Sequence, residues 1–192
     1  TVDGTLCTGG AVCIMMMQSG HNVWVSLLVA LIAGLLAGMV TGLLHTFMGI
    51  PAILAGILTQ LGLYSVNLKI MGKSNQAINV DKFDLLVSLR YIKNVPIYRN
   101  TILLVAVIIV VLIAFLYWFF GTELGCSLRA TGCNDRMSRA QGINTDFNRV
   151  LGLMISNGLV AFSGALLSQY QGFADINMGR GAIVIGLAAV II

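Results

Sequence analysis

The residue types that carry chemistry are few in this chain and far apart. Its cysteines are Cys7, Cys13, Cys126 and Cys133, and its histidines are His21 and His45. A zinc site asks for closely paired ligands such as C-x-x-C. No such pair occurs, and both histidines are remote in sequence from Cys126 and Cys133. The thiols are therefore read as small hydrophobes. Gly72-Lys73-Ser74 has the ending of a phosphate loop. That loop needs another glycine five residues before its second one to shape a cradle of backbone N–H groups, and Asn67 stands there. A helical stretch also precedes it in place of a strand, so ATP is not bound by this route. G-x-S-x-G, H-E-x-x-H and the dinucleotide fingerprint do not occur. His45, near the end of an apolar stretch, is read as a helix-end residue in preference to a general base. A membrane-embedded enzyme would need His, Asp, Glu or Cys clustered at membrane depth, and the sequence offers no such cluster. No carboxylate or cation interrupts the middle of a long apolar run, which speaks against a proton-relay carrier.

Uncharged polar groups do appear in or beside the apolar stretches. Gln60, Tyr64, Asn67, Asn157, Gln169 and Gln171 are polar groups in greasy surroundings. An unpaired amide in lipid is costly, so each must face protein or a water-lined path. Helix-to-helix hydrogen bonding and the lining of a polar solute's path both satisfy that demand, and the sequence leaves both open. Gln60, Asn67, Asn157 and Gln169 are the pathway candidates. Gly34, Gly38 and Gly42 form a doubled G-x-x-x-G, read as a flat strip where another helix backbone packs closely.

The elements that must position these residues follow from composition. Of 192 residues, 58% are hydrophobic and 9% charged, against about 25% charged in an ordinary soluble domain. A soluble chain this apolar would expose large aggregating patches. The fold class expected is all-α, a polytopic transmembrane bundle of about five to six segments, some broken or truncated. Residues 6–17 form a short apolar stretch containing Gly9 and Gly10, read as a broken or half-length helix. Residues 23–48 are long enough to span with tilt. Residues 50–71 follow through the tight turn 45–51, with Pro51 tolerated at a helix start, which predicts an antiparallel hairpin. Residues 72–100 read as an extramembrane loop with a short surface helix carrying Leu85, Leu89 and Ile92. Residues 101–120 are the clearest span, ending in Tyr117, Trp118, Phe119 and Phe120 as an interfacial aromatic group. Residues 150–168 form a fifth stretch, and the polar residues after it lead to a last apolar run from Ala182. The chain reads as one transmembrane domain over 1–192, cut from a longer protein. The net charge of +4 fits basic loops at lipid headgroups and not a nucleic-acid surface, since no basic stripe with interleaved aromatics is present.

The most specific segment lies within the polar stretch 121–149. Residues 128–144 read LRATGCNDRMSRAQGIN, with Arg129, Arg136, Arg139 and the nearby Arg149 set among Asp135 and Asp146. Short helices joined at Gly132 and Gly142 are expected. Leu128-Arg129-Ala130-x-Gly132-x-Asn134, followed by Arg139-Ala140-x-Gly142-Ile143-Asn144, resembles the cytoplasmic coupling loop of ABC importer permeases of the branched-chain amino acid, ribose and simple-sugar group. Val2-Asp3-Gly4 and the glycines after it, Ile50-Pro51 with its flanking helices, Ser163-Gly164-Ala165 and 183–189 resemble further positions of that family. Together the likeness covers nearly the whole chain.

The resemblance implies a permease subunit of an ATP-driven importer for a small polar solute, an amino acid or a sugar, in the cell membrane of a prokaryote. It implies a second permease subunit, separate ATP-binding subunits and an extracytoplasmic substrate-binding protein, with no cofactor held by this chain and ATP used by its partners. It assigns Arg129, Gly132, Asn134, Arg139, Gly142 and Ile143 to docking of the ATPase. It also places 45–51 on the cytoplasmic side and 72–100 outside. The excess of Lys and Arg in 72–100 would by itself reverse that orientation. A secondary transporter and a structural subunit of a membrane complex remain the alternatives.

Overall fold

The computed structural model describes residues 1–78, 101–181 and 188–189. Within them the chain is an all-α bundle, and four helices are long and apolar enough to cross a membrane. Helix α1 (Val2–Gln18) is the centre: 10 of its 17 residues are buried. The expected break at Gly9 and Gly10 does not occur; both lie within one continuous helix. They are there because of neighbours. A Cβ on Gly9 would overlap the carbonyl of Ala161, and one on Gly10 would press on Met178.

Helix α2 (Val23–Thr46) carries no charge and turns into α3 (Ala52–Met71) through a short connection. Pro51 stands at the N-cap of α3, where its missing N–H costs nothing. His45 Nδ1 lies 2.8 Å from the Ile50 carbonyl and closes the turn, as a helix-end histidine does. The hairpin is further tied at depth, where the Thr41 hydroxyl donates to that of Thr59 at 3.1 Å. Gly72 ends α3 in the left-handed region with φ 66, a conformation that a Cβ disfavours. That terminator role explains the glycine of Gly72-Lys73-Ser74 without any phosphate.

Helix α4 (Thr101–Gly121) is the most apolar, and none of its described side chains is buried. Tyr117 and Trp118 sit exposed near its end. Two short helices follow, α5 (Glu123–Cys133) and α6 (Asp135–Ala140), and then α7 (Thr145–Gln171). Helix α7 is longer than the apolar stretch 150–168 because its first turns are polar and lie outside that stretch.

One element had no sequence signal. Strand β1 (Asn75–Ala77) pairs antiparallel with β2 (Phe173–Asp175), Gln76 opposite Ala174. The ribbon joins the ends of α3 and α7, and Gln18 at the end of α1 donates to the Ala77 carbonyl at 3.2 Å. After β2 the chain folds back along α1, with Gly179 against the Asp3 carbonyl and Cys7 donating to the Ile176 carbonyl at 3.1 Å. The surface helix expected around Leu85, Leu89 and Ile92, and most of the last apolar run, lie outside the described residues.

Candidate functional site: a polar elbow braced on α7

The polar elbow is built by caps. Thr122 accepts from Gly125 N at 3.4 Å to start α5. Asn134 both ends α5 and starts α6, its Oδ1 accepting from Met137 N at 3.1 Å. Asn144 starts α7 by accepting from Phe147 N at 3.1 Å. A short polar side chain at each N-cap satisfies one of the otherwise orphaned first-turn N–H groups. Between α6 and α7 the chain reverses at Gly142, whose φ of 82 needs glycine. Gly132, expected at a joint, lies inside α5 with open space around it; the joint falls at Asn134 instead.

Hydrogen bonds then fasten the elbow to the membrane helix. Asn148, only 5% exposed, donates from Nδ2 to Thr131 Oγ1 at 3.0 Å and to Ser127 Oγ at 3.2 Å. One buried amide of α7 thus holds two hydroxyls of α5. Arg149 pairs with Asp135 at 2.7 Å and lies 3.8 Å from Asp146. Arg139 donates to Thr145 Oγ1 at 2.9 Å and pairs with Asp146 at 3.1 Å. The exposed Arg139–Asp146 pair contributes about 0–1 kcal/mol, and the half-buried Arg149–Asp135 pair leaves Asp135 Oδ1 without a partner. The buried amide network is therefore the firmer brace, because breaking it strands polar groups.

The six residues assigned to docking divide. Arg139, Asn134 and Gly142 shape the elbow itself. Arg129 and Gly132 are exposed on α5, and Ile143 is half-buried in the turn. Sequence reading passed over Asn148, Ser127 and Thr131, the brace proper. It also passed over Met137, 60% exposed beside exposed Arg136 at the tip. The signal for Asn148 was present: a second Asn four residues after the capping Asn144, at the spacing that puts both on one helix face. A cavity of about 400 Å³ lies between the elbow and the α2–α3 turn, lined by His45, Leu128, Thr131, Asn148 and Arg149 among others. The turn 45–51 and the elbow therefore share one end of the bundle, and the β ribbon occupies the other.

Helix α7 carries the elbow into the core. Along α2, a Cβ on Gly34 would overlap Ala161 and one on Gly38 the Leu153 carbonyl, while one on Gly42 would lie 2.9 Å from Val150 Cα. Gly164 of α7 meets the Leu6 carbonyl of α1 as closely. In lipid, where no hydrophobic force drives helices together, such backbone contact supplies the packing.

The four pathway candidates also separate. Asn157, 2% exposed, lies with Oδ1 3.3 Å from the Thr5 hydroxyl and donates to the Leu153 carbonyl at 2.9 Å. Gln169, 1% exposed, donates to Cys13 Sγ at 3.3 Å within an apolar cluster. Asn67 donates to the Gly4 carbonyl at 3.4 Å, and Gln60 is half-buried on the same helix. The two α3 candidates sit together against the first turn of α1; the two α7 candidates lie apart from each other.

A model of the family described as branched-chain amino acid transport system / permease component matches residues 1–192. A protein named tyrosine transport system permease protein, from Clostridioides difficile (strain R20291), is 39% identical over 192 residues, all of this chain and 62% of that protein. An uncharacterized protein of Rickettsia prowazekii (strain Madrid E) is 39% identical over 194 residues, all of this chain and 65% of that protein. The chain thus spans less than two thirds of the length of these curated relatives. No solved structure matches it significantly. The capped polar elbow, the glycine-packed spans and the match along the whole chain agree: this protein belongs to the branched-chain amino acid transport system / permease component family.

Proposed function

We propose that the chain is the membrane-spanning part of an ATP-driven amino acid importer in a bacterial cell membrane, and that its elbow is the surface on which a separate ATPase subunit presses. The observation that carries this reading is the brace. Asn148 locks α5 to α7, and α7 is interlocked with α1 and α2 by backbone contact. A push on the elbow is thereby delivered to the bundle as a rigid-body motion, the kind of motion that opens a pathway alternately to its two sides. The name of the Clostridioides relative supports an amino acid as the solute.

In this reading, exposed Arg136 and Met137 meet the ATPase, since a flexible thioether beside a cation suits a protein contact. The elbow end is cytoplasmic, and the ribbon end faces the binding protein that delivers solute. A second permease subunit completes the pathway. ATP hydrolysis takes place on the partner subunits. The test is co-purification of the full-length protein in mild detergent, comparing the native elbow with Arg136→Glu/Met137→Glu. Both side chains point outward, so the variant should fold. An ATPase subunit captured by the native protein and lost by the variant supports the reading; an intact, abundant protein that captures none contradicts it.

A further inference from the structure

Three polar residues of α3 fall on one flank at helical spacing i, i+4 and i+7: Gln60, Tyr64 and Asn67. At 1.5 Å per residue they lie about 12, 18 and 22 Å along the helix from Ala52, with Asn67 about 6 Å short of its last residue, Met71. Tyr64 is 44% exposed on the apolar helix α3. Asn67 is 1% exposed, and its Oδ1 has no hydrogen-bond partner although its Nδ2 donates to the Gly4 carbonyl. Leu54, Leu58, Leu61 and Leu68 are exposed on the rest of the helix surface, the composition of a lipid-facing side. Gln169 on α7 also keeps an unpartnered oxygen, but it is enclosed by Cys13, Ala165 and other apolar core residues and has no polar neighbour leading outward. Asn67 differs because exposed Tyr64 lies one helical turn from it on the same flank.

We infer that the Gln60–Tyr64–Asn67 flank of α3 is where the solute meets this protein inside the membrane, the Asn67 amide oxygen accepting from the solute's ammonium group. The inference rests on the importer reading above and adds the contact surface to it. A buried acceptor without a partner is costly unless a donor arrives, and an ammonium brings three N–H groups. The face of Tyr64 attracts the same cation. The two α7 amides are helix-packing groups and take no part.

The test is thiol labelling of the full-length protein in membrane vesicles, with Cys126 and Cys133 replaced by serine to clear the exposed native thiols. Tyr64→Cys is compared with Leu61→Cys, both exposed positions where substitution disturbs no packing. The reagent is a charged, membrane-impermeant methanethiosulfonate, and each of the twenty L-amino acids is added singly. Labelling of Tyr64→Cys on the order of tenfold faster than Leu61→Cys is expected, because a thiol in hydrocarbon stays protonated. At least one amino acid should slow it. Equal rates at the two positions would overturn the inference. Fast labelling that no amino acid slows would overturn it too, by showing a wet crevice without solute contact. ATP-driven uptake by native vesicles is measured alongside, so failure of the importer reading is seen separately from failure of this site.

Discussion

At the scale of single residues, Asn148 is the most consequential side chain in the elbow. Replacing it with alanine leaves Thr131 and Ser127 facing a void and should cost about 1–3 kcal/mol locally. The expected outcome is an elbow that still binds its partner but transmits less motion. Uptake should fall several-fold while ATPase capture persists, which a pull-down and an uptake assay on the same membranes would distinguish. Arg149→Ala removes the half-buried pair with Asp135 and the longer contact with Asp146 and should lower uptake less than Asn148→Ala does. An uptake loss as severe as that of Asn148→Ala would show that the ion pairs, and not the amide, hold the elbow. The caps were partly legible in the sequence: Asn134 and Asn144 were singled out or bounded the motif. Asn148 was not: its spacing from Asn144 puts it on the same helix face, but its importance appears only when α5 folds back over α7.

At the scale of elements, the glycines decide how closely helices approach. Gly38→Leu would drive a side chain into the Leu153 carbonyl and Met154, where overpacking costs about 1–3 kcal/mol or more. It should lower the melting temperature in detergent or prevent folding. Gly62→Ala and Gly132→Ala meet open space and should melt within a degree or two of the native protein, helped by alanine's better helix propensity. If all three variants melt alike, the α2–α7 contact is not what holds the bundle. The four spans α2, α3, α4 and α7 were readable as apolar runs because lipid imposes that composition on any helix that crosses it. The continuity of α1 was not. Gly9 and Gly10 signal a break when viewed alone, and only the closeness of Ala161 and Met178 reveals them as packing residues. The β1–β2 ribbon was invisible for a similar reason. Its two three-residue strands lie far apart in sequence, and their pairing follows from where α3 and α7 end.

At the scale of the whole molecule, the parts are unequally joined. Helices α1, α2 and α7 interlock through backbone contacts, while α4 stands apart, separated from α7 by an apolar groove lined by Ile108, Leu112, Phe162 and Leu166 among others. A body made of α1, α2, α7 and the elbow moving as a unit is the mechanical content of the importer reading. The elbow's motif and the apolar runs were enough to place the chain in its family from sequence, because the motif and the membrane spans each leave a local pattern of residues. That Asn67 and Gln60 sit together against the first turn of α1 while Asn157 and Gln169 lie apart on α7 needed the fold, since all four are amides in or beside apolar runs and only their neighbours tell them apart.

The most direct measurement of the central claim is amino acid uptake by the full-length protein with its partners in proteoliposomes, under ATP or under an ion gradient alone. Uptake should require ATP at the elbow end of the protein, persist when ion gradients are collapsed, and fall at least about tenfold in Arg136→Glu/Met137→Glu, the size expected when a docking hot spot is lost. Uptake that runs without ATP and stops when the ion gradient collapses would contradict the account and make this chain part of a secondary transporter.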